Sequence, residues 1–131
     1  VEENITFSWS LIGSWLATIM WTFGFDTVYA MSDREDDKKI GLNSSALSLG
    51  SHVIIVVRIS YGLCCTFLAI SAFHSQISNL FWPLWIISTF LMQQSCNNIF
   101  VCNTSSLIYV KHFSRQAIIG TLLLLGLIIG N

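Results

Sequence analysis

Apolar and polar positions alternate along this chain in long blocks rather than in short periods. An apolar block runs from about Ile5 to Met31 with no charge before Asp26, and a polar stretch follows from Ser32 to about Ser48. A second block, about Leu49 to Phe73, is broken only by His52, Arg58 and Tyr61. A short turn, His74 to Asn79, leads into a third block from about Leu80 to Val101. A polar stretch from Cys102 to about Arg115 precedes the last block, Ala117 to Ile129. Blocks near twenty apolar residues match the thickness of a bilayer core, so the pattern predicts four spanning helices. Trp9 suits an interfacial belt, whereas Trp15 and Trp21 read as packing residues. The tail Gln93-Gln94-Ser95-Cys96-Asn97-Asn98 is too polar for lipid and is expected to face neighbouring helices. Gly120, Gly126 and Gly130 are expected to allow close helix packing.

Composition agrees with this pattern. Of the 131 residues, 53% are hydrophobic and 10% charged, where soluble domains carry about 25% charged residues. The expected class is all-α, a multi-pass transmembrane helical bundle. A net charge of −1 gives no sign of nucleic-acid binding. The first residues, Val1-Glu2-Glu3-Asn4, lack an initiator methionine and a basic run. They do not read as a signal peptide, and the chain reads as part of something longer. The four cysteines fit no common zinc spacing and read as small buried apolar residues.

Charge placement predicts orientation. Arg34, Lys38, Lys39, Lys111 and Arg115, five of the six basic residues, fall in the first and third polar stretches. The positive-inside rule then puts both stretches in the cytoplasm. Arg58 lies about two turns inside the second block, and two readings are open for it. It either snorkels to the interface or faces the bundle interior, toward an anionic ligand or a carboxylate.

The candidate chemistry lies in the first polar stretch. Five of the seven acids, Asp26, Asp33, Glu35, Asp36 and Asp37, fall within twelve positions. On a continuous helix Asp26, Asp33 and Asp37 share a face, and no base stands four residues after Asp26 or Asp33. A cation would relieve that repulsion, and Mg²⁺ suits hard oxygen ligands shared with substrate phosphates. A solvated charged loop is the plainer alternative. If metal binds there, diphosphate is the natural partner, with Arg34, Lys38 and Lys39 adding hydrogen bonds to a leaving pyrophosphate.

The run Asp26-Thr27-Val28-Tyr29-Ala30-Met31-Ser32-Asp33-Arg34-Glu35-Asp36-Asp37-Lys38-Lys39-Ile40-Gly41, with Asn43-Ser44-Ser45-Ala46 and Gly50 after it, resembles the second aspartate-rich motif of UbiA-type prenyltransferases. It is most similar to 4-hydroxybenzoate polyprenyltransferases, and the Asn43 to Gly50 continuation resembles the cyanobacterial branch that serves plastoquinone synthesis. Phe113-Ser114-Arg115-Gln116 before a Leu- and Gly-rich helix resembles the family's last helix. The resemblance implies a nine-helix bundle around a lipid-open cavity. It implies Mg²⁺-dependent transfer of a polyprenyl group from its diphosphate to the ring of 4-hydroxybenzoate in ubiquinone or plastoquinone synthesis. Asp33 and Asp37 match the Mg²⁺–diphosphate ligands, Asp26 the preceding acid, and Lys39 a lysine after the pair. The family's earlier motif, NDxxDxxxD, has no counterpart in the chain. Residues 1–131 are therefore expected to be the C-terminal part of such a domain, about four of its helices, inactive alone and completed by an N-terminal half. The wording at Asp26–Ala30 argues against the chlorophyll, haem and menaquinone branches. The alternatives are a non-catalytic membrane remnant and a divalent-cation-binding or transport bundle.

Overall fold

The structure, a computed structural model, describes residues 8–32, 52–99 and 106–131. It contains four helices and, among the described residues, no strand: α1 (Trp9–Ser32), α2 (Val53–His74), α3 (Phe81–Ile99) and α4 (Ser106–Gly130). The expected all-α membrane bundle is what forms. By length and composition α2 and the Tyr109–Gly130 part of α4 are long and apolar enough to cross a membrane.

Each boundary has a local cause. Ser8 caps α1, its Oγ accepting the Leu11 N–H at 3.2 Å, which satisfies one of the orphan donors of the first turn. At the end of α2 the Gln76 N–H reaches Phe73 O at 3.2 Å and the Ile77 N–H reaches Ala72 O at 3.3 Å. This pair of bonds is a Schellman ending, and it holds Gln76 at φ 54°, a conformation that glycine adopts more readily. Pro83 sits in the first turn of α3, where its missing N–H breaks no helical bond. The Ser78 N–H then donates to Gly130 O at 2.9 Å and ties the α2–α3 turn to the end of α4.

Small residues let α1 and α2 pack closely. A Cβ at Gly13 would stand 2.9 Å from Phe67 O, and one at Gly24 would stand 2.6 Å from the Tyr61 ring. Serines complete the contact: Ser14 Oγ lies 2.6 Å from Ser71 Oγ, and Ser71 Oγ donates to Ser10 O at 2.7 Å. Along α4, Gly126 packs on Phe81 and Leu84, and Gly130 on Ile77 and Phe81, as expected. Gly120 does not: a Cβ there would meet nothing within 4 Å.

The core is Val28, Val57, Tyr61, Cys65, Met92, Cys96 and Ile119. The outer faces carry large apolar side chains, among them Ile55, Phe73, Phe90, Ile118 and Ile128. Such a surface fits hydrocarbon better than water. Trp9 is exposed, and so is Trp15, which therefore does not pack among the described helices as expected. Cys64, Cys65 and Cys96 are buried free thiols, as expected; Cys102 lies outside the described residues.

One boundary differs by a full three turns. The last helix begins at Ser106, so Lys111, His112 and Arg115 stand on α4 and not in a loop. Tyr109, His112, Phe113 and Gln116 recur at helical spacing, and all are at least partly buried. The polar atoms of His112 and Gln116 look out of place in an apolar helix until neighbouring helices supply partners.

Candidate functional site

α1 ends at Ser32 and α2 begins at Val53. These ends bracket the acid-rich stretch, and they lie together: Val28, Met31, Ile54, Val57 and Cys96 line one small gap. The chain thus leaves and re-enters the bundle at one end, where α3 finishes and α4 starts. Asp26 lies on α1, which runs through it without a break as expected, and its carboxylate is exposed. Asp33, Arg34, Asp37, Lys38 and Lys39, together with Glu35 and Asp36, lie outside the described residues.

Beneath this end lies a layer of paired polar groups. Tyr61 Oη sits 2.9 Å from His112 Nε2, with the rings stacked at 17°. Both side chains are buried, Tyr61 at 0% and His112 at 4% exposure. Trp21 Nε1 donates to Gln116 Oε1 at 3.0 Å, joining α1 to α4. Arg58 donates from Nη2 to Asn97 Oδ1, and the Gln93 amide donates to Arg58 O at 3.3 Å. Arg58 thus reaches α3, and among the described residues it forms no ion pair. Aromatic rings close the layer on the α1–α4 side, with Phe25 and Phe113 centroids 5.0 Å apart and Tyr29 5.8 Å from Phe113. The polar tail of α3 does turn inward in part: Ser95 and Cys96 are buried, while Gln94 and Asn97 are exposed.

These pairings were not visible in the sequence. Tyr61 reads as an isolated polar residue, and His112 and Gln116 read as the edge of a loop. The four-residue step from His112 to Gln116 was the available signal, since it puts both on one helical face.

A cavity of about 310 Å³ opens below the polar layer. Its lining includes Trp21, Cys64, Met92, Ile119, Gly120 and Leu124. The wall hydroxyls are already engaged: Ser14 donates to Ser10 O and Thr18 to Ser14 O, each at 2.9 Å. What the cavity offers a ligand is therefore apolar surface, suited to a hydrocarbon chain.

Metal binding at this end turns on carboxylates. Among the described residues no three His, Cys, Asp or Glu side chains come together, and Asp26 is the one side-chain carboxylate. Its exposure at the bundle end leaves a hard oxygen donor free, which fits Mg²⁺ chemistry. The other donors expected from the sequence, Asp33 and Asp37, lie outside the described residues.

Comparison with known proteins bears on the same stretch. The chain is 37% identical over 116 residues to a 4-hydroxybenzoate solanesyltransferase from Synechocystis sp., covering 88% of this chain and 40% of that protein. It is 37% identical over 71 residues to a 4-hydroxybenzoate octaprenyltransferase from Cupriavidus necator, covering 54% of this chain and 24% of that protein. A 4-hydroxybenzoate octaprenyltransferase from Polynucleobacter necessarius is 30% identical over 112 residues, covering 86% of this chain and 38% of that protein. The chain thus spans two fifths or less of the length of these curated relatives. No solved structure matches it. The profile of the UbiA prenyltransferase family matches residues 2–96, including the whole acid-rich stretch, and the chain belongs to that family.

Proposed function

We propose that this chain forms part of a membrane enzyme that moves a polyprenyl group from its diphosphate to the ring of 4-hydroxybenzoate, a step of quinone synthesis. The observation that carries this reading is the family match across residues 2–96, which takes in the acid-rich stretch. The names of the relatives and the apolar cavity below the α1–α2 end agree with it.

In this reading Asp33 and Asp37 hold the metal, with Asp26 beside them, and Arg34, Lys38 and Lys39 bind the diphosphate. Bound Mg²⁺ would supply positive charge to the diphosphate oxygens. The reaction joins a ring carbon to the allylic carbon while the bond to diphosphate breaks, and the ring then loses a proton. The cationic side chains stabilise the departing diphosphate, and the aromatic layer of Phe25, Tyr29 and Phe113 excludes water from the allylic carbon. The sequence contains no NDxxDxxxD run. The remaining carboxylates would come from a further stretch of polypeptide, with residues 1–131 as the C-terminal part of the domain. Lys111 and Arg115 stand on the first half of α4, at the end where α1 finishes, and together with Arg34, Lys38 and Lys39 they support the reading in which that end faces the cytoplasm.

The test is prenyl transfer in membranes holding this chain, alone and with a family N-terminal half that carries the first motif. Labelled polyprenyl diphosphate and 4-hydroxybenzoate are supplied with Mg²⁺ or with a chelator. Product is expected only in the paired, Mg²⁺-containing sample, and it falls by about a hundredfold or more in Asp33→Asn and Asp37→Asn. An inserted, paired sample without product would sink the reading and favour a cation-binding bundle or an inactive remnant.

A further inference from the structure

Three glycines lie along the second half of α4, and packing accounts for two. A Cβ at Gly126 would come 3.3 Å from Phe81, and one at Gly130 would come 2.5 Å from Ile77. A side chain at either position would therefore crowd the neighbouring residues. Gly120 is exposed, and a Cβ there would meet nothing within 4 Å. A glycine inside a helix costs about 1 kcal/mol relative to alanine. No neighbouring helix requires that cost here.

Gly120 does line the 310 Å³ cavity. It lies one turn beyond Gln116, whose amide is bonded to Trp21, and Trp21 lines the same cavity. Trp21 is five residues from Asp26, an axial separation of about 7 Å. Along α4 the lining runs from Ile119 to Leu127, a length of about 12 Å. The groove therefore begins close under the acid-rich end and leads away from it, with Gly120 at its near end. Its engaged hydroxyls leave an apolar wall.

We propose that Gly120 sets the length of apolar chain that the groove accepts. The polyprenyl tail of the donor passes over the bare backbone at Gly120, and a side chain there closes the passage. This rests on the prenyl-transfer reading for the identity of the occupant. A short tail ends before Gly120 and is indifferent to it, whereas a long tail must run past.

Two photoreactive donors test this: geranyl diphosphate and a polyprenyl diphosphate of eight isoprene units, each with a diazirine at the tail end. They are irradiated with the full chain in membranes, paired with the N-terminal half, and the crosslinks are mapped by mass spectrometry. In the unsubstituted chain the long donor is expected to label residues 120–131. In Gly120→Leu that labelling falls about tenfold or more while short-donor labelling is unchanged. Gly120→Ala, which meets no atom, gives a smaller loss and serves if the leucine variant does not insert. Equal long-donor labelling in the unsubstituted and substituted chains overturns the proposal. So does an unsubstituted chain that neither donor labels along the groove. Transfer activity is read separately: labelled grooves without product count against the reaction, not against the role of Gly120.

Discussion

Removal of the Tyr61 hydroxyl isolates one bond. In Tyr61→Phe the ring stays, and with it the stacking on His112 at a centroid distance of 5.9 Å. No cavity forms, so the change in stability reports the 2.9 Å contact between Tyr61 Oη and His112 Nε2. In water, leaving a buried partner unpaired costs about 1–3 kcal/mol. Between membrane helices such bonds average about 0.6 kcal/mol and reach about 1.7, because the dissociated helices find other partners. His112 is 4% exposed and has little access to water or headgroups, so the upper part of that range applies. Tyr61→Phe is expected to destabilise the bundle by about 1 kcal/mol. His112→Leu costs more, because it also alters packing against Phe113. In the double variant neither side is left unpaired, and the coupling energy is expected to be about 1 kcal/mol. Reversible unfolding in mixed micelles, with all four species measured, gives the cycle. Single costs that add within about 0.3 kcal/mol would mean that the two groups do not interact in the folded bundle, which would refute the reasoning.

The other predictions rest on the backbone. Gly24→Ala puts a methyl 2.6 Å from the Tyr61 ring; the helices must move apart, at about 1–3 kcal/mol, read as a lower unfolding midpoint in the same micelles. An unchanged midpoint would mean that α1 and α2 do not meet at Gly24. Gln76→Gly relieves a side chain held at φ 54° and, net of the added entropy of the unfolded chain, is expected to stabilise by about 0.5–1 kcal/mol; an unchanged or lower midpoint would count against the Schellman ending of α2. Loss of product on chelation, and in Asp33→Asn and Asp37→Asn, checks the metal assignment.

Much of this protein is legible in one dimension. Four helices follow from apolar blocks near bilayer length, because a chain in hydrocarbon must satisfy its backbone internally. The acid-rich stretch stands out because carboxylates are costly beside apolar helices, and its wording carries the family. The roles of Gly126 and Gly130 follow from the general use of small residues at helix contacts. The start of α4 does not follow, because His112 and Gln116 look like loop residues until Tyr61 and Trp21, 51 and 95 positions away in the chain, supply their partners. Nor does the difference between Gly120 and Gly126, two glycines on one helix that only their surroundings distinguish. The sequence by itself determined the number and order of the apolar helices and where acidic residues are concentrated, since those depend on local period and composition. Tertiary structure alone decided which polar side chains pair across helices and which glycine faces a cavity, because a hydrogen bond or a void exists only once distant segments meet.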